Sequence, residues 1–258
     1  MRSSPDFKKF KRTYSDTVSQ VESSFNEVLQ GAEFNTDKLI AETNRIINEC
    51  RNGAHILEML HGIRNYDDIT FVHSLNVALI CNIFAGWLKL SEEDAKALTL
   101  AGLLHDIGKL LVPKEIITKA DKLTSDEYKI IQKHAIKGYQ LLKDQPIDRR
   151  IKNAALMHHE RCDGSGYPNK FEAEQIDDFA KIVAIADVYD AMTSNRRYRS
   201  AICPFDVVES FEHEGLLKYD PRYLMIFMER IVESYLHNKV RLNDGREGEV
   251  VMIKKMDL

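Results

Sequence analysis

Between Asp6 and Gln30 the apolar side chains Phe7, Phe10, Tyr14, Val18, Val21, Phe25 and Val28 recur every three or four residues. That spacing lines them along one stripe of a helix, and such a stripe needs an apolar partner. Gly31 ends the run, Asn35 or Thr36 offers a cap, and Leu39, Ile40, Thr43, Ile46, Ile47 and Cys50 repeat the helical spacing up to Asn52-Gly53. Residues 1–54 therefore read as a helical hairpin, separate from a main domain over 55–258. Two coverings stay open for its stripe: the chain's own main domain, or a seam with a second copy or a sensor partner.

Beyond Ala54 the helical punctuation continues. Asp67 and Asp68 start a helix through Trp87, Ser91-Glu92-Glu93-Asp94 starts one ending near Gly108, and Thr124-Ser125-Asp126-Glu127 starts one through Leu142. Further helices are expected over about 148–160, 177–194, 204–216 and 220–237, with a polar, glycine-bearing loop from Arg161 to Lys170. Only the tail departs from this pattern. Val240–Leu242, Asn243-Asp244-Gly245 and Glu249–Ile253 read as a small β-hairpin on an otherwise all-α chain.

Composition narrows the class. The 258 residues are 44% hydrophobic, and no apolar run approaches the eighteen or so residues that span a bilayer, so a soluble protein with no membrane span is expected. The first thirty residues lack the continuous apolar stretch of a secretory signal. Cys50, Cys81, Cys162 and Cys203 form no C-x-x-C pair, which points to a reducing cytoplasm. A net charge of −4 argues against nucleic acid as a partner and requires any phosphate-bearing ligand to meet a local basic cluster.

The candidate chemistry lies in polar residues set within apolar helices. His73 sits among Phe71, Leu75, Val77 and Ala78, where a lone histidine is usually a satisfied core residue. His105-Asp106 closes the apolar helix that ends Leu103-Leu104, and a carboxylate there is costly to bury without a cation or donors. His134 falls mid-helix, His158-His159 ends the next helix, and Asp187 lies within Ile182-Val183-Ala184-Ile185-Ala186 and Val188. Successive helices thus carry an H, HD, H, HH, D series, the mixed imidazole and carboxylate set suited to iron, manganese or zinc.

HDIGK at 105–109, the segment from Lys119 through LTSDE to His134, HHERCDGSGYP at 158–168 and ADVYDAMTSNRRYR at 186–199 together resemble the HD-GYP branch of the HD phosphohydrolase superfamily, over about residues 60–237. The resemblance implies a helical bundle that hydrolyses cyclic di-GMP to pGpG, and onward to GMP, using a metal-bridging hydroxide. It implies that His73, His105, Asp106, His134, His158, His159 and Asp187 are metal ligands, with Asp106 bridging two transition metals, iron first and manganese or another divalent ion as alternatives. Lys109 would meet the scissile phosphate, and Gly166, Tyr167, Arg196 and Arg199 would line the substrate pocket. For the arginines, a solvated basic turn is the alternative.

Two positions depart from the family pattern. Cys162 stands where tryptophan is usual and Arg197 where proline is usual, so loop packing and pocket rigidity are expected to differ. Cys162 reads as a small space-filling residue rather than an extra ligand. His55, His61, His213 and His237 match no ligand position and read as surface or packing residues. Some family members hold a third metal through a glutamate one helical turn before the first histidine. Ile69 stands there, and Asp68 would project about 140° away from His73, so a dinuclear site is expected. Rival readings are a non-catalytic cyclic di-GMP receptor or scaffold for a diguanylate cyclase, and a hydrolase of another cyclic dinucleotide. All seven ligand positions are filled, which favours catalysis.

Overall fold

The protein is described by a computed structural model covering residues 4–63, 70–119, 121–195, 200–242 and 244–253. Among the described residues the fold is all-α apart from one small hairpin. The N-terminal elements are α1 (Pro5–Leu29), α2 (Thr36–Asn48) and α3 (Gly53–Ile63). The centre is built from α4 (Thr70–Trp87), α5 (Glu92–Leu104), a 3₁₀ turn (Ile107–Leu111), α6 (Lys114–Ile117), α7 (Ser125–Gln132), α8 (His134–Leu142), α9 (Arg149–Met157) and α10 (Asp178–Thr193). It closes with α11 (Pro204–Ser210), a π turn (Phe211–Gly215), α12 (Leu216–Lys218) and α13 (Pro221–Glu233). Strands β1 (Lys239–Arg241) and β2 (Glu247–Glu249) then pair antiparallel, so the second strand begins two residues earlier than its apolar pattern suggests.

α4 is the axis of the core. Its 18 residues have the length and mean hydropathy of a membrane-crossing helix, yet 72% of that stretch is buried against other parts of the protein, chiefly α5 and α10. A helix that is apolar on every side belongs at the centre of a fold, and this one carries His73 into that centre. Side-chain caps delimit the surrounding helices. Ser91 accepts from Asp94 N, while Thr124 and Glu127 form a reciprocal capping box.

The stripe on α1 is covered by the chain itself. Phe7, Phe10, Tyr14, Val21, Phe25 and Val28 are buried in the same core as α4, and Phe25 packs edge-on against Phe34 and Phe71 with ring centroids 6.1 and 5.7 Å away. Of the two coverings that the spacing allowed, the chain's own core is the one observed.

Two helices expected to run on are interrupted at the residues that matter most. α5 stops at Leu104, and His105-Asp106 forms the joint into the 3₁₀ turn. The expected helix from Ser125 to Leu142 breaks at Lys133, so His134 opens α8 rather than lying mid-helix. At that break the His134 ring takes the Ile131 carbonyl as the acceptor for Nδ1–H, at 2.7 Å. Gly108 lets the two joints touch. A Cβ there would lie 1.9 Å from the His134 carbonyl oxygen and 2.4 Å from Gly138 N, a separation no side chain tolerates.

Phe25→Ala should lower stability by about 3–5 kcal/mol in chemical denaturation, as expected for emptying a packed aromatic site, and leave the mass in light scattering unchanged. A smaller mass with stability retained would contradict the intramolecular packing.

Candidate metal centre

Five helical elements deliver the seven predicted ligands to one place. α4 brings His73, the α5 joint brings His105 and Asp106, α8 opens on His134, α9 ends at His158-His159, and α10 carries Asp187. The Asp106 carboxylate is 1% exposed and lies between two groups of rings. Its Oδ2 is 3.6 Å from His73 Nε2 and 3.3 Å from His105 Nε2, whereas its Oδ1 is 3.3 Å from His134 Nε2 and 3.6 Å from His158 Nε2. Asp187 Oδ1 stands 2.9 Å from His73 Nε2 and 4.0 Å from His105 Nε2, and its Oδ2 is 4.0 Å from His159 Nδ1.

The ring orientations follow from hydrogen bonds at their far edges. His105, His134 and His158 each direct Nδ1 at a backbone carbonyl, of Gly102, Ile131 and Ala154, at 2.7, 2.7 and 3.0 Å. A carbonyl only accepts, so each Nδ1 carries a proton and each Nε2 is turned inward, as a bare lone pair on His134 and His158, which burial holds neutral. Three observations then fit metal ions. The donor atoms of Asp106, His134, His158 and His159 lie within 4.8 Å of one another, as do those of His73, His105 and Asp106. His105 Nε2 and Asp106 Oδ1 are buried without a hydrogen-bond partner. His134 and His158 bring their Nε2 atoms to 3.2 Å, lone pair toward lone pair, an arrangement that a cation resolves.

Burial sets the proton affinities of this cluster, and the partners then divide them. Desolvation lowers His134 to about 3 and holds His158 and His159 below their usual range. Burial also disfavours charge on His73, but hydrogen bonds to Asp187 and Asp190 outweigh it and raise that ring to about 9. For Asp106, burial is opposed and overcome by the Lys109 ammonium and the His105 ring, which keep the carboxyl well below its usual range. Asp187 is held low in the same way, chiefly by its hydrogen bond to His73.

Lys109 donates directly to Asp106 Oδ2 from the 3₁₀ turn. It also lines a cavity of about 790 Å³ together with His73, His134, His159, Asp187 and Tyr167. Tyr167 stacks on the His159 ring at 4.7 Å between centroids, and burial keeps its hydroxyl protonated. Gly166, within the loop, is buried against residues 159–161 and is not among the residues lining the cavity. A Cβ there would sit 2.4 Å from Glu160 Cα, so this glycine lets the loop lie flat on residues 159–161. Cys162 belongs to neither donor set. Arg196, Arg197, Arg199, Asp67, Asp68 and Ile69 lie outside the described residues. His55 is buried, His61, His213 and His237 are exposed, and none joins the cluster.

Several residues of the site did not stand out in the sequence. Asp190 accepts from His73 Nδ1 at 2.7 Å, and its signal was its place three residues after Asp187 on the same apolar helix. The buried Glu160 carboxylate receives Asn169 N and Phe171 N at 2.7 and 3.1 Å and ties down the glycine-rich loop. Lys119, Lys122 and Arg161 join Lys109 along the cavity, with Lys119 ion-paired to Glu127 and Asp121 and Asp187 on the same wall, so Lys122 and Arg161 are the cations there without a carboxylate partner among the described residues.

The metal-free protein should be most stable near neutral pH. His134, His158 and His159 have depressed folded pKa values, so their contribution is present above the unfolded value of about 6.5 and lost as pH falls below it. His73 has a raised folded value, so its contribution is complete below about 6.5 and disappears as pH rises through about 9. Melting of chelator-treated protein should therefore show Tm falling on both sides of neutrality, more steeply toward acid. A flat profile from pH 5 to 9 would contradict these assignments.

The family model for the HD domain matches residues 38–223. The chain is 32% identical over 233 residues to the cyclic di-GMP phosphodiesterase PA4108 of Pseudomonas aeruginosa, covering 90% of this chain and 56% of that protein. It is 43% identical over 145 residues to 3′3′-cGAMP-specific phosphodiesterase 1 of Vibrio cholerae, covering 56% of this chain and 34% of that protein. The chain thus spans about half, or less, of the length of these relatives. Among solved structures, Bd1817, an HDG"Y"P protein from Bdellovibrio bacteriovorus, shares the fold with a TM-score of 0.63 at 16% identity, covering 89% of this chain and 74% of that one. With its HDIGK joint, paired histidines and GYP loop in place, the chain belongs to the HD domain family, in the HD-GYP branch.

Proposed function

We propose that this chain is a cytoplasmic, metal-dependent phosphodiesterase that hydrolyses cyclic di-GMP to pGpG at a dinuclear centre bridged by Asp106. The observation that carries the proposal is the division of Asp106 between two donor sets, Oδ2 toward His73 and His105 and Oδ1 toward His134 and His158. Asp187 completes the first set and His159 the second. The donors suit iron, with manganese as the alternative. When bound, two such ions supply Lewis acidity, activating a water and neutralising phosphoryl oxygens.

The chain's own groups do the rest. Lys109 stands on the cavity wall beside Asp106, placed to donate to a non-bridging phosphoryl oxygen as negative charge develops. Tyr167, packed on His159, offers a flat face to a guanine or a ribose phosphate at the cavity's edge. Arg196 and Arg199 are proposed as further phosphate contacts and Gly166 as the residue that keeps the loop close to the ligand. Onward cleavage of pGpG to GMP is proposed to be slower, because Ile69 leaves no carboxylate for a third ion. A diguanylate cyclase or sensor partner remains compatible with this activity.

A second substrate is favoured by the 43% identity over 145 residues to the 3′3′-cGAMP-specific enzyme. Anaerobically purified protein, loaded with iron or manganese and offered both cyclic dinucleotides, distinguishes the two by product chromatography. Cyclic di-GMP should have the higher kcat/KM. A higher value for cyclic GMP-AMP would reverse the assignment, and no turnover of either by metal-loaded protein would favour a receptor.

Asp106→Ala should abolish turnover and lower metal content, since one carboxylate serves both donor sets. Full metal content with full activity would refute the bridge. Lys109→Ala should retain the metals and reduce kcat by about 10²–10³, the usual effect of losing one donor to developing charge. An unchanged kcat would remove Lys109 from the reaction.

A further inference from the structure

A line of buried polar groups runs from the N-terminal helix to the metal centre. The Tyr14 hydroxyl on α1 donates to Asn76 Oδ1 at 2.6 Å, and Asn76 Nδ2 donates to Asp190 Oδ1 at 3.0 Å. Asp190 Oδ2 in turn accepts from His73 Nδ1 at 2.7 Å. Tyr14, Asn76, Asp190 and His73 are each no more than 6% exposed, so no bulk water competes for these bonds. We propose that Tyr14 is a positioning residue for His73, acting through Asn76 and Asp190, so that the seating of α1 sets metal affinity at the donor set of His73, His105 and Asp106.

The directions of the bonds make the line specific. A phenol has one proton to donate, and the contact with Asn76 Oδ1 is shorter than the 3.3 Å alternative to the Val72 carbonyl. With its oxygen held by Tyr14, the Asn76 amide must turn its NH₂ toward Asp190. That carboxylate is then oriented to receive Nδ1–H of His73, which leaves Nε2 as the ring's metal-facing atom. Loss of the phenolic proton frees the amide to rotate, and the constraint on the His73 ring weakens at its source. Ser194 Oγ also donates to Asp190 Oδ1, at 3.1 Å, so the loss loosens His73 rather than releasing it.

This inference rests on the metal centre proposed above, and Mn²⁺ binding separates the two. Outer-shell partners of metal-bound histidines typically change affinity 10–100-fold, and the two intervening groups place Tyr14→Phe near the lower end, about tenfold. Stepwise Mn²⁺ binding, followed by electron paramagnetic resonance without substrate, should show that weakening at one site and an unchanged second site. Thr17→Val is the control. Thr17 is buried on the same helix, and its hydroxyl contacts the Glu42 carbonyl, away from the line. Thr17→Val should leave both Mn²⁺ affinities at the wild-type values, even if either variant melts a little lower. Equal affinities in wild type and Tyr14→Phe would overturn the proposal, as would equal weakening by Thr17→Val, which would mark a general packing effect. Wild-type protein that binds no Mn²⁺ or Fe²⁺ would instead overturn the metal centre, and the inference with it.

Discussion

Everything in this site depends on one buried carboxylate. Asp106 is removed from water at the joint between α5 and the 3₁₀ turn, and an ionised group there needs positive charge or donors on every side. The protein supplies a lysine and a circle of imidazoles, but His134 and His158, held neutral by burial, face it with lone pairs because their protons are committed to backbone carbonyls. Rings and carboxylate together are therefore short of cations. Gly108, the break before His134 and the close approach of the His134 and His158 rings all hold this arrangement tight.

Much of this was legible from chemically discordant residues. His73, His105-Asp106 and Asp187 stood out within or at the end of apolar runs, and their series with His134 and His158-His159 on successive helices predicted a common centre. The helices themselves were legible from spacing and caps, Thr124 and Glu127 among them. The break at Lys133 was not. The Ser125–Leu142 pattern is continuous, and the interruption accompanies a side-chain bond and a tertiary contact with Gly108, neither of which has a local signature. The covering of the α1 stripe was open for the same reason, since spacing specifies an apolar face but not its partner.

The groups that support the ligands were the hardest to foresee. Asp190 and His73 are 117 positions apart, and Tyr14 and Asn76 are 62 apart, so only the folded packing of α1, α4 and α10 brings them together. The cations along the cavity arise in the same way, with Lys109 drawn from the 3₁₀ turn and Lys119 and Arg161 from two separate loops. An acidic chain can thus gather several cations along one cavity, beside the carboxylates of Asp121 and Asp187.

The central claim is that Asp106 joins two ions, and anomalous scattering from crystals of the manganese-loaded protein tests it directly. The account predicts two peaks about 3.5–4 Å apart, one beside Asp106 Oδ2 and one beside Oδ1. A single peak, three fully occupied peaks, or a pair that Asp106 does not touch would contradict it.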